Sequence, residues 1–188
     1  SISLEKLISE MTSHDLKKSK NIKLIKNFNQ KTMNLDSHIK SCYVAGHNGM
    51  VGSAIVRLLK TKYPLIKIIT YSKNELDLTN QKDVNEFLRD KKPQLVFIAA
   101  AKVGGIYKNM TYPADFLYEN MMIQNNIIHA CYTNKIDRVI FLGSSCIYPR
   151  NATQPLKESE LLGGYLEETN EAYAIAKITG IKLCHFYN

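Results

Sequence analysis

Residues 41–52 read SCYVAGHNGMVG, and the fold of the chain turns on this stretch. SCYVA has the length and apolar centre of a short buried strand. Gly46, Gly49 and Gly52 follow at once with the spacing G-x-x-G-x-x-G, and AIVRLLKTKY (54–63) continues at helical spacing until Pro64. A glycine turn that leaves a strand and opens a helix can hold a diphosphate on free backbone N–H groups at the positive end of the helix dipole. In that reading Gly46 permits the turn, Gly49 lets the backbone approach the phosphates, and Gly52 lets the helix pack on the sheet. The cradle then consists of Gly46, His47, Asn48, Gly49, Met50, Val51 and Gly52. Three glycines alone fit a plain tight turn equally well; their place between strand and helix favours the nucleotide.

Outward from the turn, strand and helix patterns alternate. KIITY (67–71) is a second strand, and NQKDVNEFLRD (80–90) a polar-faced helix that Asn80 or Thr79 can cap. LVFIAA (95–100) is an almost unbroken apolar run, the pattern of a strand buried on both faces. A loop with Gly104, Gly105 and Pro113 precedes a helix over 114–133; RVIFLG (138–143) is the fourth strand, residues 144–170 a loop, and 171–187 the last helix. Such alternation predicts an α/β fold, a Rossmann-like, doubly wound parallel sheet with right-handed crossovers. This domain covers 39–188 and lacks one or two strands of the usual count. Residues 1–38, without Pro or Gly and with patchy periodicity, read as a basic extension, weakly helical or disordered.

The composition narrows the class. With 45% hydrophobic residues the chain can bury a core, and it holds no apolar run of the roughly 20 residues a membrane span needs. The start, at Ser1 rather than Met, lacks the pattern of a secretory signal, so the expected compartment is the cytoplasm. Residues 1–40 hold eight lysines against four acids, and the rest 17 basic against 13 acidic residues, so each part carries half of the net +8. The lysines of the tail are scattered, without an arginine cluster or a nucleic-acid motif, and describe a solvated surface rather than a polynucleotide site. Cys42, Cys131, Cys146 and Cys184 form no CxxC pair and no zinc spacing; they are expected as thiols, three of them core residues, with no metal bound.

Three further segments carry chemistry. Tyr173 and Lys177 stand four apart on a helix and so share a face. A free phenol titrates near 10, and a neighbouring ammonium is expected to bring it towards the working range of an acid–base catalyst. GSSCIY (143–148) leaves the fourth strand, at the edge of the sheet where open α/β proteins bind ligands. Ser144 there can donate to a substrate carbonyl oxygen, and Cys146 can act as a base near a lysine. The second strand ends in Tyr71-Ser72-Lys73 without the acid that usually accepts from an NAD ribose, so Lys73 is expected to pair with a 2′-phosphate, favouring NADP. Asp77 and Leu78 fall where such folds contact adenine. His47 and His129 read as turn and helix-face residues outside the catalysis.

AGHNGMVGSAI (45–55), AAAKVGGI (99–106), TYPADFLYENMMI (111–123), FLGSSCIYP (141–149) and YAIAKITGIKLC (173–184) resemble the extended short-chain dehydrogenase/reductases, the GDP-L-fucose synthases in particular. The resemblance spans about residues 41–188 and implies two stages of chemistry on GDP-4-dehydro-6-deoxy-D-mannose. C3 and C5, both α to the ketone, lose and regain protons with inversion; NADPH then reduces C4. It implies Cys146 as the base, Ser144, Tyr173 and Lys177 as catalytic partners, and Ala100, Ala101, Asn120, Leu142, Gly143 and Lys177 as cofactor contacts. It also implies a homodimer for the complete protein.

Departures from the family pattern lie at Asn48, where relatives carry an arginine for the 2′-phosphate, and at Glu168 and Ala172, where they carry prolines. The family's general-acid histidine and GDP-sugar contacts are expected beyond Asn188, so this stretch alone is not expected to complete the reaction. Two other readings are a different nucleotide-sugar epimerase or dehydratase, and a non-catalytic dinucleotide-binding module. The SSC segment speaks against a dehydratase, which uses a threonine and an acidic pair after the serine and has no base cysteine there. Intact Tyr173, Lys177 and Ser144 speak against a module without activity.

Overall fold

A computed structural model describes residues 39–188; the expected extension at 1–38 lies outside the described residues. Four strands form one parallel sheet: β1 (Ser41–Ala45), β2 (Lys67–Ile69), β3 (Leu95–Ile98) and β4 (Val139–Phe141), in the order β2-β1-β3-β4. Tyr43 stands beside Ile69 on one side and Val96 on the other, and Val96 beside Val139. The helices are α1 (Met50–Lys62), α2 (Gln81–Lys91), α3 (Ile106–Thr111), α4 (Pro113–Thr133) and α5 (Glu171–Tyr187).

Strand alternation divides the core into two layers. Tyr43, Ala45, Val96 and Ile98 face a cluster with Val84, Phe87 and Leu88 of α2 and Ile127, Ile128 and Cys131 of α4, against which Leu183 and Cys184 of α5 pack. Cys42, Val44 and Leu95 point the other way and meet Ile55 and Leu59 of α1. Fully burying a side chain such as Leu88 or Leu59 stabilises the fold by about 1.5–3 kcal/mol.

Several boundaries differ from the periodicity. α1 begins at Met50, directly on the glycine turn, because the turn backbone already satisfies its start: Gly49 N–H donates to Gly46 O at 3.0 Å and Ser53 N–H to Gly49 O at 2.9 Å. The last residues expected in β2, β3 and β4 have left the ladder and form the rim above the sheet. Between β3 and α4 the glycine loop winds into α3, whose Asn109 Nδ2 donates to Gly104 O and Gly105 O, at 3.0 and 3.2 Å. The 144–170 loop contains three short 3-10 turns, at Ser145–Ile147, Glu158–Glu160 and Glu168–Asn170. Asn80, of the two expected caps, closes α2 by accepting from Lys82 N–H and Asp83 N–H. No helix among the described residues is long and apolar enough to cross a membrane.

The order of strands reverses direction between β1 and β3. The connections that leave their C-terminal ends therefore depart in opposite directions and open a crevice there, the position at which doubly wound sheets take their ligands.

Candidate active site

The floor of that crevice is the turn after β1. Gly46 has φ +81°, and a Cβ there would lie 2.6 Å from the backbone of Ala100 at the end of β3. A side chain would be strained and would also pry the two strand ends apart. Gly52 serves a different contact from the expected one. Its Cβ would sit 2.1 Å from Gly46 O and 2.9 Å from His47 Cα, so its smallness closes the turn on itself rather than seating α1 on the sheet. α1 carries no acid in its first turn and no side-chain cap. Its N-terminal dipole is therefore uncompensated by the chain itself, which suits an anion. Asn48 and Met50 are exposed at this end and Val51 packs inward on the α1 layer. His47 is half-buried, and its Nδ1 has no hydrogen-bond partner among the described residues.

Beside the turn, the loop after β2 carries an acid that the sequence reading did not consider. Glu75 Oε2 accepts from Ser72 N–H at 2.7 Å and from the Ser72 hydroxyl at 2.6 Å. These bonds, with a smaller contribution from His47, hold the Glu75 carboxyl below its ordinary range. Lys73 is exposed. Asp77 accepts from Thr79 N–H and hydroxyl at 2.9 and 2.8 Å, and those bonds, aided by Lys73, lower its carboxyl. Leu78 packs into the core, with its carbonyl held by Asn126 Nδ2 at 3.0 Å.

At the end of β3, Ala100 and Ala101 are half-buried and lead into Lys102. Asn120, 2% exposed, grips the backbone of Lys102 at both of its polar groups: Lys102 N–H donates to Oδ1 at 2.9 Å, and Nδ2 donates to Lys102 O at 3.0 Å. Its amide also donates to Phe116 O at 2.7 Å. The structure thus makes Asn120 the clamp that fixes the rim after β3. The Lys102 ammonium is paired with Glu119 and, at 3.6 Å, with Asp115.

Tyr173, Lys177, Ser144 and Cys146 come together at the end of β4. Lys177 is 4% exposed; its Nζ donates to Leu142 O at 2.9 Å and lies 4.7 Å from the Phe141 ring centre and 5.7 Å from that of Tyr173. Cys146 Sγ donates to Ser144 Oγ at 3.1 Å, from a short turn that begins one residue after that serine. Gly143 is exposed at the mouth of the site. The electrostatics run against the expected direction. Burial pushes the Tyr173 phenol up, with the Cys146 thiolate charge adding to it, and burial pushes Lys177 down to about 8, a fall that Cys146 opposes. Desolvation outweighs the attraction between phenolate and ammonium here, because the phenol loses water as it enters the same pocket.

One residue that positions this cluster carries no catalytic signature. A Cβ on Gly180 would meet the Phe141 ring at 2.6 Å and Gln124 at 2.9 Å. The absence of a side chain lets α5 lie close on β4 and α4, where Gln124 donates to Ala176 O. A glycine inside an apolar helix is the signal that marks it in the sequence. Glu75, six positions beyond the last residue of β2, is another residue the sequence reading passed over, though it does not touch this cluster.

A sequence model of the NAD dependent epimerase/dehydratase family matches residues 42–188. The chain is 55% identical over 146 residues to the GDP-L-fucose synthase of Escherichia coli K12, an alignment covering 78% of this chain and 45% of that protein. Among solved structures, the GDP-mannoheptose C4 reductase of Campylobacter jejuni with NADP bound superposes with a TM-score of 0.76 at 40% identity, over 80% of this chain and 47% of the other. The GDP-L-fucose synthetase of Naegleria fowleri bound to NADP gives 0.72 at 29%, over 79% and 48%. The chain spans about half the length of the relatives it matches.

Proposed function

Because the chain belongs to the NAD dependent epimerase/dehydratase family, we propose that it is the cofactor half of an NADP-dependent 3,5-epimerase/4-reductase that converts GDP-4-dehydro-6-deoxy-D-mannose to GDP-L-fucose. The observation that carries the reading is the cluster at the end of β4, where a thiol, its hydroxyl partner, a phenol and a buried amine meet. A reductase of this family needs only the last three of those groups; the cysteine adds a base suited to protons α to a ketone.

The residues present fit a dinucleotide. The turn from Gly46 to Gly52 with the uncapped start of α1 would hold the diphosphate, Lys73 a 2′-phosphate, and Ala100, Ala101, Leu142 and Gly143 line the crevice above the sheet. When bound, the nicotinamide supplies the hydride for C4. Tyr173, kept protonated by burial, is the group that gives a proton to the C4 oxygen. Lys177, brought down to about 8, can hold or release a proton near neutral pH and is oriented by Leu142 O. Cys146 removes the C3 and C5 protons as a thiolate, and the hydroxyls of Ser144 and Tyr173 stabilise the enolate oxygen. A homodimer in the cytoplasm belongs to the same proposal.

The test is to incubate the whole protein with GDP-4-dehydro-6-deoxy-D-mannose and NADPH and to identify the product by NMR. GDP-L-fucose is the expected product, and an unchanged keto sugar overturns the assignment. The 40% identity to a GDP-mannoheptose C4 reductase favours a second reading, reduction of another GDP-4-keto sugar. Turnover of a GDP-4-keto-heptose in preference to the hexose selects it.

A further inference from the structure

Gly104 and Gly105 follow the rim after β3, and they differ in what surrounds them. A Cβ on Gly104 would meet Phe116 Cζ at 2.8 Å and Lys108 Cβ at 3.2 Å, so packing leaves no room for one. Gly105 is exposed, its backbone at φ −69° and ψ 174° is one that any residue adopts, and a Cβ there would meet nothing within 4 Å. Nothing among the described residues requires this position to be bare. The open space belongs to the catalytic side of the crevice. β3 pairs with β4, so the loop that leaves Lys102 stands beside the one that carries Ser144 and Cys146. At its far end α3 packs on the turn Glu168–Asn170, which leads directly into the helix of Tyr173. Gly105 is the residue that opens α3, and so stands on the span that joins the two. That seam is also short of donors. Asn109, 8% exposed, directs its amide N–H groups to Gly104 O and Gly105 O, and its Oδ1 is buried without a partner among the described residues. Asn170 Oδ1, on the facing turn, is likewise buried and without one. Buried acceptors without donors are rare; a hydroxyl-bearing ligand can satisfy them, whereas an apolar partner cannot.

We propose that Gly105 is a specificity-determining residue, whose bare backbone is the wall against which the sugar of the GDP-linked substrate lies, and that Asn109 is the positioning residue that holds this wall. The proposal rests on the reading of the chain as part of a GDP-sugar enzyme. With the dinucleotide on the Gly46 turn and Ala100, the span beyond Lys102 is left to the second ligand, whose reacting carbons must reach Cys146 and Tyr173.

The experiment measures the binding of GDP-L-fucose, GDP and NADPH to the whole protein by calorimetry, together with Tm. The variants are Gly105→Ser, Gly105→Asn and Asn109→Asp, with Gly104→Ala as the packing control. Serine and asparagine are good residues in front of a helix, so the Gly105 variants are expected to keep the wild-type Tm, whereas Gly104→Ala lowers it. Gly105→Asn is expected to weaken GDP-L-fucose by about tenfold or more and Gly105→Ser by less, with GDP and NADPH changed by less than about twofold in both. Asn109→Asp, which keeps the volume and loses both donors, is expected to show the same split between the ligands. Unchanged GDP-L-fucose affinity in the Gly105 variants, or an equal loss for GDP, overturns the wall. So does a Tm in those variants that falls as far as in Gly104→Ala. No loss in Asn109→Asp, or the same loss for all three ligands, overturns its positioning role. Wild type that binds neither GDP nor GDP-L-fucose overturns the proposed function, and the wall with it.

Discussion

Lys177 shows how much a single buried charge decides. In the unfolded chain its amine has the ordinary value of 10.5; in the fold it is pushed down to about 8. Between those values the unfolded state binds the extra proton, so stability rises with pH from about 8 to about 10.5. Below about 8 the full cost of burying the charge is felt, about 3 kcal/mol. Lys177→Met lacks this titration. Urea unfolding at pH 7 and pH 10.5 is therefore expected to show wild type gaining on the variant by up to about 3 kcal/mol at the higher pH; parallel behaviour of the two proteins contradicts the buried-ammonium picture. At the same scale, Tyr173→Phe in the whole protein removes the proposed proton donor and is expected to lower reduction by about 10²–10⁴-fold while NADPH still binds. Cys146→Ser is expected to abolish deuterium exchange from solvent at C3 and C5 with cofactor omitted, since a serine hydroxyl is seldom ionised. Exchange at the wild-type rate in that variant makes Cys146 a packing residue.

Among the elements, α5 matters most, because it presents Tyr173 and Lys177 and is held in place by contacts with no chemistry of their own. Gly180→Ala places a methyl 2.6 Å from the Phe141 ring. The ring, which also faces the Lys177 ammonium, must shift to make room, so the substitution is expected to destabilise the fold by about 1–3 kcal/mol, read as a fall of several degrees in Tm. Because Lys177 is tied to Leu142, the next residue after Phe141, NADPH affinity is expected to fall with it. α2 offers a milder case: Asn80→Ala removes two capping bonds and is expected to cost about 1 kcal/mol in chemical unfolding, without effect on the crevice.

At the level of the whole molecule, one crevice gathers groups from the ends of all four strands: the Gly46 turn after β1, Ser72 to Glu75 after β2, Ala100 to Lys102 after β3, and Leu142 to Cys146 after β4. A ligand that bridges them can bind only when the sheet is assembled. NADPH at about 100 times its Kd is therefore expected to stabilise the protein by about 2.7 kcal/mol. NADH at the same concentration should stabilise less, and Lys73→Ala should narrow the gap between the two. Equal stabilisation of wild type by both cofactors means that nothing at the end of β2 distinguishes a 2′-phosphate.

Local pattern alone was enough for the alternation of strands and helices, the place of the glycine turn, the shared helix face of Tyr173 and Lys177, and the grouping of Ser144 with Cys146 after β4. Each follows from spacing along a strand, a turn or a helix, which neighbours in sequence set among themselves. The strand order that opens the crevice, the clamp of Asn120 on Lys102 and the closeness of Gly180 to Phe141 were decided by the tertiary structure. So was the sign of the shifts at Tyr173 and Lys177. Proximity of charges was legible from the four-residue spacing, but the loss of water was not. Desolvation depends on every chain segment that closes over a group, and those segments lie far apart in the sequence.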